Sequence, residues 1–135
     1  MKRILIIEDD AKIVAALAIR LEAAGYGVLT APDGFSGLKQ ALDEKPDLIL
    51  MDIWMPVGLG FSVAQRLASV GLGGIPIIFI TASKLKGLAE TAKKLGAVAF
   101  FEKPYDPEQL LAAVARGLKA NSAECGENHP THALC

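Results

Sequence analysis

Cysteine is scarce in this chain and poorly placed to hold a scaffold together. Of 135 residues only Cys125 and Cys135 are cysteines, and both lie in the last stretch. No disulfide can staple the body of the protein, which fits a reducing cytoplasm. Cys125, His129, His132 and Cys135 can be drawn as a metal site, but the paired-cysteine spacing of such sites is missing. A disordered tail is the favoured reading of that segment. An excess of either charge is also lacking: Lys plus Arg number 14 and Asp plus Glu 15, for a net charge of −1. No basic field gathers nucleic acid, so direct nucleic-acid binding is not expected. Long apolar runs are absent as well. After Lys2 and Arg3 the run Ile4 to Ile7 ends at Glu8, too short for a secretory h-region. The uncharged stretch from Leu67 to Ser83 is broken by Gly71, Gly73, Gly74 and Pro76. Neither an export signal nor a membrane-inserted helix is expected.

What is present is an ordinary globular composition, 52% hydrophobic and 21% charged. At this length a single core suffices. Five short apolar runs recur: "ILII" at 4, "YGVLTA" at 26, "LILM" at 48, "IPIIFIT" at 75 and "VAFF" at 98. Helical periods lie between them. Ile13, Val14, Leu17 and Leu21 form one stripe of a helix that stops near Gly25. The last segment opens "DPEQ", with Asp106 as N-cap, Pro107 at the first helical position and Gln109 placed to close a capping box. A stripe of Leu110, Leu111, Val114 and Leu118 follows.

Strands alternating with helices at this spacing imply βαβ units, hence a doubly wound α/β fold with a parallel sheet and helices on both faces. "LILM" and "IPIIFI" are apolar throughout and belong in the sheet centre, whereas "YGVLTA" is the better edge candidate. The pattern dissolves after Ala120, so residues 1–120 are expected to form the domain and 121–135 a disordered tail.

In open α/β sheets, ligands bind outside the carboxyl ends of the strands. The first run ends in Glu8, Asp9 and Asp10, and the third in Asp52. If these strands are neighbours, about 4.8 Å apart, the acids stand within a few ångströms of one another. Like charges so close raise some pKa values or admit a cation. Oxygen ligands without histidine or cysteine suit Mg²⁺, with Mn²⁺ as a substitute. Capping explains Asp10 alone. It does not explain acids clustered at the ends of two strands. Thr81, followed by the small Ala82, ends the fourth run, and Lys103 follows the fifth. A hydroxyl and an ammonium aimed at carboxylates and a divalent ion are what a transferred phosphoryl group needs.

"ILIIEDD", "LILMDIWMP", "IIFITA" and "FFEKP", in this order and at this spacing, resemble the receiver domain of two-component response regulators, from about Lys2 to Lys119. The resemblance implies a CheY-like (flavodoxin-like) five-stranded sheet of order 2-1-3-4-5. It also implies that Asp52 is the phosphoacceptor and that Glu8, Asp9, Asp52 and the backbone carbonyl of Trp54 hold Mg²⁺. Thr81, Ala82 and Lys103 would then contact the phosphoryl group, and Thr81 with Phe100 would form the switch. The implied output face is the fourth helix, fifth strand and fifth helix. A cis bond between Lys103 and Pro104 is implied too. The implied partner is a histidine kinase or histidine phosphotransfer protein. The downstream partner is unknown, and the expected state is a monomer or a phosphorylation-dependent dimer. The module would catalyse only its own phosphorylation and dephosphorylation.

The chain departs from the family in "VGLG", Val57 to Gly60, where a polar helix start is usual, and it carries Trp54 and Ser83 at positions the family varies. The Trp54 ring is expected to shield an acyl phosphate from water. An aspartyl-nucleophile phosphatase of haloacid-dehalogenase type is the enzyme alternative. It requires an acid two residues after the nucleophile, where Trp54 stands. A flavodoxin-type binding module would need a phosphate-cradling loop in place of the acids. A degenerate receiver acting only by binding conflicts with the retention of Glu8, Asp9, Asp52, Thr81 and Lys103.

Overall fold

The computed structural model describes residues 1–53, 59–82 and 86–126. The expectations for Trp54, for Val57 and Gly58 of "VGLG", for Ser83 and for His129, His132 and Cys135 lie outside the described residues, as does the side chain of Cys125. Strands and helices alternate throughout: β1 Arg3–Ile7, α1 Ala11–Ala23, β2 Gly27–Ala31, α2 Gly34–Glu44, β3 Leu48–Asp52, α3 Leu59–Ser69, β4 Ile77–Thr81, α4 Leu88–Lys94, β5 Ala99–Glu102 and α5 Pro107–Gly126. The strands form one parallel sheet in the order β2-β1-β3-β4-β5. The "YGVLTA" segment is therefore at an edge and "LILM" at the centre, where every residue of β3 is buried.

Side chains alternate across a strand, so each continuous apolar run feeds two cores. Leu5, Ile7, Ile49, Met51 and Phe79 point to one face, against Ala41 of α2, Phe61 and Leu67 of α3, and Leu88 and Ala92 of α4. Phe61 meets Phe79 edge to face at a centroid distance of 5.0 Å. Ile4, Ile6, Leu48, Leu50, Ile78 and Ile80 point to the other face, against Leu17 and Leu21 of α1 and Leu110, Val114 and Leu118 of α5. The stripes read from the sequence of α1 and α5 are the rows that cover this second face.

The helix ends are set by identifiable side chains. Asp10 Oδ1 accepts from the backbone N–H of Lys12 at 2.9 Å and of Ile13 at 3.4 Å, so this acid caps α1. The helix stops where Gly25 adopts φ +97°, with Gly25 N–H donating to Glu22 and Tyr26 N–H to Leu21. Asp106 accepts from Glu108 N–H at 2.9 Å at the head of α5. That helix continues to Gly126, past Ala120 where the apolar period ends. No proline or glycine interrupts the backbone between Gly117 and Gly126, so the helical backbone runs on past the apolar period of the sequence. Gly37 of α2 rests on Ile7, and a Cβ there would come within 2.7 Å of Ile7 Cγ1. This close approach fixes α2 against the strand that delivers the first acids.

Candidate functional site

The parallel register brings the carboxyl ends of β1, β3 and β4 to one edge. Ile7 pairs with Met51 and Asp52 with Ile80, so Glu8 follows β1 beside the point where Asp52 ends β3. Glu8 and Asp52 are buried and Asp9 is exposed. Thr81, the last residue of β4, is fully buried, and Ala82 after it is exposed. Lys103 follows β5 and is tied to β4 by its N–H, which donates to the Thr81 carbonyl at 2.8 Å. The peptide bond from Lys103 to Pro104 is cis.

One ammonium joins the acids of two strands. Lys103 Nζ donates to Glu8 Oε1 at 3.0 Å and to Asp52 Oδ2 at 2.9 Å. The Glu8 and Asp52 side chains are 4% and 3% exposed and that of Lys103 is 18% exposed. Burial, with hydrogen bonding and charge from Asp52, pushes Glu8 up from 4.5 to about 7, against the opposing donation from Asp10 N–H and Lys103. Burial pulls the Lys103 ammonium down, but its hydrogen bonds to Asp52 and Glu8 outweigh that and hold it above its ordinary value. Among the described residues every buried side-chain nitrogen and oxygen has a hydrogen-bond partner.

The donor set suits a hard cation. One carboxylate oxygen from each of Glu8, Asp9 and Asp52 lies within 4.8 Å of the others. Among the described residues three acids meet one ammonium here, since Lys103 Nζ bridges both Glu8 and Asp52. Mg²⁺ takes one or two carboxylates and keeps water on its remaining positions, which an exposed Asp9 permits. The acids face an open cavity of about 430 Å³ lined by Glu8, Asp9, Asp10, Ile13, Asp52, Ala82 and Lys103. Thr81 does not line it. Phe100, in β5, is half-buried and packs on the core side that holds Phe79, Leu88 and Ala92.

A buried carboxylate at the centre of a doubly wound sheet, flanked by acids and one lysine, is a specific arrangement, and the comparison with known families is equally specific. The family model for the response regulator receiver domain matches residues 4–115. The chain belongs to this family. This receiver is 38% identical over 113 residues to the alkaline phosphatase synthesis transcriptional regulatory protein PhoP of Bacillus subtilis, a match covering 84% of this chain and 47% of that protein. It is 40% identical over 120 residues to the DNA-binding dual master transcriptional regulator RpaA of Synechocystis, covering 84% of this chain and 48% of that protein. The receiver thus spans about half the length of these curated relatives. Among solved structures, a CheY-like response regulator receiver domain protein from Methanospirillum hungatei superimposes with a TM-score of 0.84 at 29% identity, over 92% of this chain and 98% of that one.

The receiver fold brings Glu8, Asp9, Asp52, Ala82 and Lys103 to one cavity, leaves Thr81 buried at the end of β4 next to Ala82, and puts Phe100 of the neighbouring strand against the core. Sequence reasoning missed Ile13 as a wall of the site. It reads as a core residue of the α1 stripe, and only its place in the first turn, three residues after the capping Asp10, hints that it borders the strand ends. No helix among the described residues is long and apolar enough to cross a membrane.

Proposed function

We propose that Asp52 accepts a phosphoryl group from the phosphohistidine of a histidine kinase or phosphotransfer protein in the cytoplasm. The observation that carries this is the bridge from Lys103 Nζ to Asp52 and Glu8 at 2.9 and 3.0 Å, at the mouth of a cavity open to a donor. An Asp52 carboxylate oxygen attacks phosphorus in line; the new P–O bond forms as the P–N bond breaks and the imidazole leaves. Leu48 to Met51 hold the nucleophile from below in a fully buried strand, so its position is fixed before the donor arrives. Lys103 exchanges its contact with the Asp52 carboxylate for the incoming phosphoryl oxygens, together with the Thr81 hydroxyl and the Ala82 N–H.

Glu8, Asp9 and Asp52, with the backbone carbonyl of Trp54, would hold Mg²⁺ or Mn²⁺. The ion supplies neutralisation of the charge that accumulates on the phosphoryl oxygens. Movement of Thr81 toward the phosphoryl group opens space that the Phe100 ring enters, changing the α4-β5-α5 surface that partners read. Phenylalanine carries no hydroxyl, so this switch works by packing alone. Hydrolysis of the acyl phosphate returns free Asp52 and inorganic phosphate.

The test is incubation with acetyl phosphate and Mg²⁺ followed by intact mass. Wild type gains one phosphoryl group and Asp52→Asn gains none; equal labelling of the two overturns the assignment.

A further inference from the structure

The sheet ends at β2 on one side, and that edge is open. β2 pairs with β1 alone, in a parallel register that sets Gly27 against Arg3 and Ala31 against Ile7. Gly27 N–H donates to the Lys2 carbonyl at 2.9 Å, and the Ala31 carbonyl accepts from Glu8 N–H at 3.0 Å. Backbone groups alternate in direction along a strand. Gly27, Leu29 and Ala31 therefore serve β1, while the N–H and C=O of Val28 and Thr30 point away from the sheet. Among the described residues no backbone group pairs with these outward groups, and one side chain does: Gln40 Nε2 of α2 donates to the Thr30 carbonyl at 3.2 Å.

An edge of this kind is a template for another strand, and charge, proline or a covering element usually blunts it. Tyr26 to Ala31 carries neither a charge nor a proline. On the α1 side the flank consists of small side chains, Ala11 and Ala15 beside Thr30 with Ala18 one turn on, so nothing bulky overhangs the strand there. On the α2 side Gln40 stands over the edge.

The outward groups are self-complementary. In an antiparallel pair, directly opposed residues exchange N–H and C=O bonds at alternate positions. With a two-fold axis at Leu29, Val28 of one copy faces Thr30 of the other and the reverse, so a second copy of the strand supplies a counterpart for every outward group. The contact is small. One short strand and its alanine flank per copy fall below the roughly 1,200 Å² of a stable interface, which makes the pair weak and reversible.

We propose that β2 is a docking edge at which two copies of this chain pair antiparallel into one continuous sheet, with Gln40 as the side chain that restrains the pairing. Because the paired strands run in opposite directions, the two acid cavities lie at opposite ends of the joined sheet and both stay open. The pairing goes beyond the phosphoacceptor reading and does not depend on it.

The test is sedimentation equilibrium of the full chain over a range of concentrations, with amide hydrogen exchange read by NMR in parallel. The chain is monomeric at about 10 µM and half dimeric near about 1 mM. Slowed exchange at the Val28 and Thr30 amides follows the dimer, whereas Gly27, Leu29 and Ala31, already bonded to β1, change little. Gln40→Ala releases a carbonyl in each copy and tightens association about tenfold, the value of two neutral hydrogen bonds. Thr30→Pro removes an edge N–H that β1 does not use and abolishes the dimer. Ala15→Arg, at an exposed helical position, sets like charges across the axis and weakens the dimer by about tenfold or more without altering the strand. Circular dichroism shows that the variants are folded. A chain that stays monomeric up to about 2 mM, protection that maps elsewhere than Val28 and Thr30, or a Gln40→Ala variant no tighter than wild type overturns the proposal. So does a dimer that forms only with acetyl phosphate and Mg²⁺. Protection of Val28 and Thr30 that requires an added peptide of sequence YGVLTA, with the chain itself monomeric, overturns it too and leaves an edge for extended peptides instead.

Discussion

Replacing Lys103 by methionine keeps the aliphatic stem and removes the charge that holds two buried acids together. In the metal-free protein this leaves Glu8 and Asp52 facing each other with side chains 4% and 3% exposed. Each contact near 3 Å is worth about 5 kcal/mol at an effective dielectric of ~20, before desolvation is subtracted. Removing one partner of a buried ion pair costs about 3–5 kcal/mol in net stability, because the remaining charge stays buried. We expect Lys103→Met to lose about 3 kcal/mol at pH 8, measured by urea denaturation with a chelator present.

The loss must depend on pH in a definite direction. Glu8 in the fold titrates at about 7 against an ordinary value of 4.5. Its protonated form therefore favours the native state, and that contribution is complete below pH 4.5 and disappears as pH rises through 7. Lys103 is raised above 10.5, so its contribution is present throughout this window and is lost only at more alkaline pH. Without Lys103 the Glu8 pKa climbs further, since the lysine was lowering it. At pH 5.5 Glu8 of the variant is neutral, and the penalty shrinks well below its value at pH 8. Millimolar Mg²⁺ restores part of the stability at pH 8 by returning positive charge to the cluster. A loss under about 1 kcal/mol at pH 8, or the same loss at both pH values, refutes the account of a charge cluster held by this lysine.

In the metal-free wild type, stability itself falls as pH rises from 4.5 to 7, and Glu8→Gln flattens that slope in the same denaturation assay. Asp52→Asn relieves like-charge crowding while leaving the Lys103–Glu8 pair intact, so its urea midpoint rises, by about 1 kcal/mol of stability, even as phosphorylation is lost. Asp10→Ala removes the side-chain acceptor for Lys12 and Ile13 N–H and costs about 1 kcal/mol by the same assay. Mn²⁺ binding, followed by its enhancement of water proton relaxation, is displaced by Mg²⁺ and weakened at least tenfold in Asp9→Asn.

The sheet was legible in the sequence because its strands are marked twice. "LILM" is apolar at every position, which only a strand covered on both faces tolerates, and it ends at an acid where the cover stops. Asp10 and Asp106 were legible as caps because capping is a local bond between a side chain and N–H groups two or three residues on. The reach of Lys103 was not legible. Whether a lysine on one loop spans to acids on two other strands depends on the turn after β5 and on how closely β3 and β4 pair, neither of which has a local signature. The acid cavity was hidden for the same reason: its walls come from α1 and from chain some ninety residues later.

The arrangement around Asp52 is a conflict that the fold maintains. A carboxylate at a central strand end gains rigidity from four buried residues beneath it and loses solvation to the same residues. A nucleophile in open solvent would be hydrated and mobile, and a fully dry one would bind a proton instead of attacking phosphorus. Glu8 resolves part of the strain by titrating near neutrality, and Lys103 resolves another part by bridging the two acids. Both solutions are reversible. On the proposed function, a phosphoryl group or a divalent ion entering the cavity would offer these groups new partners, and Glu8 and Lys103 would then be the ones that rearrange. The cluster can respond in this way because one ammonium is shared between Glu8 and Asp52, so a new partner for either acid frees it.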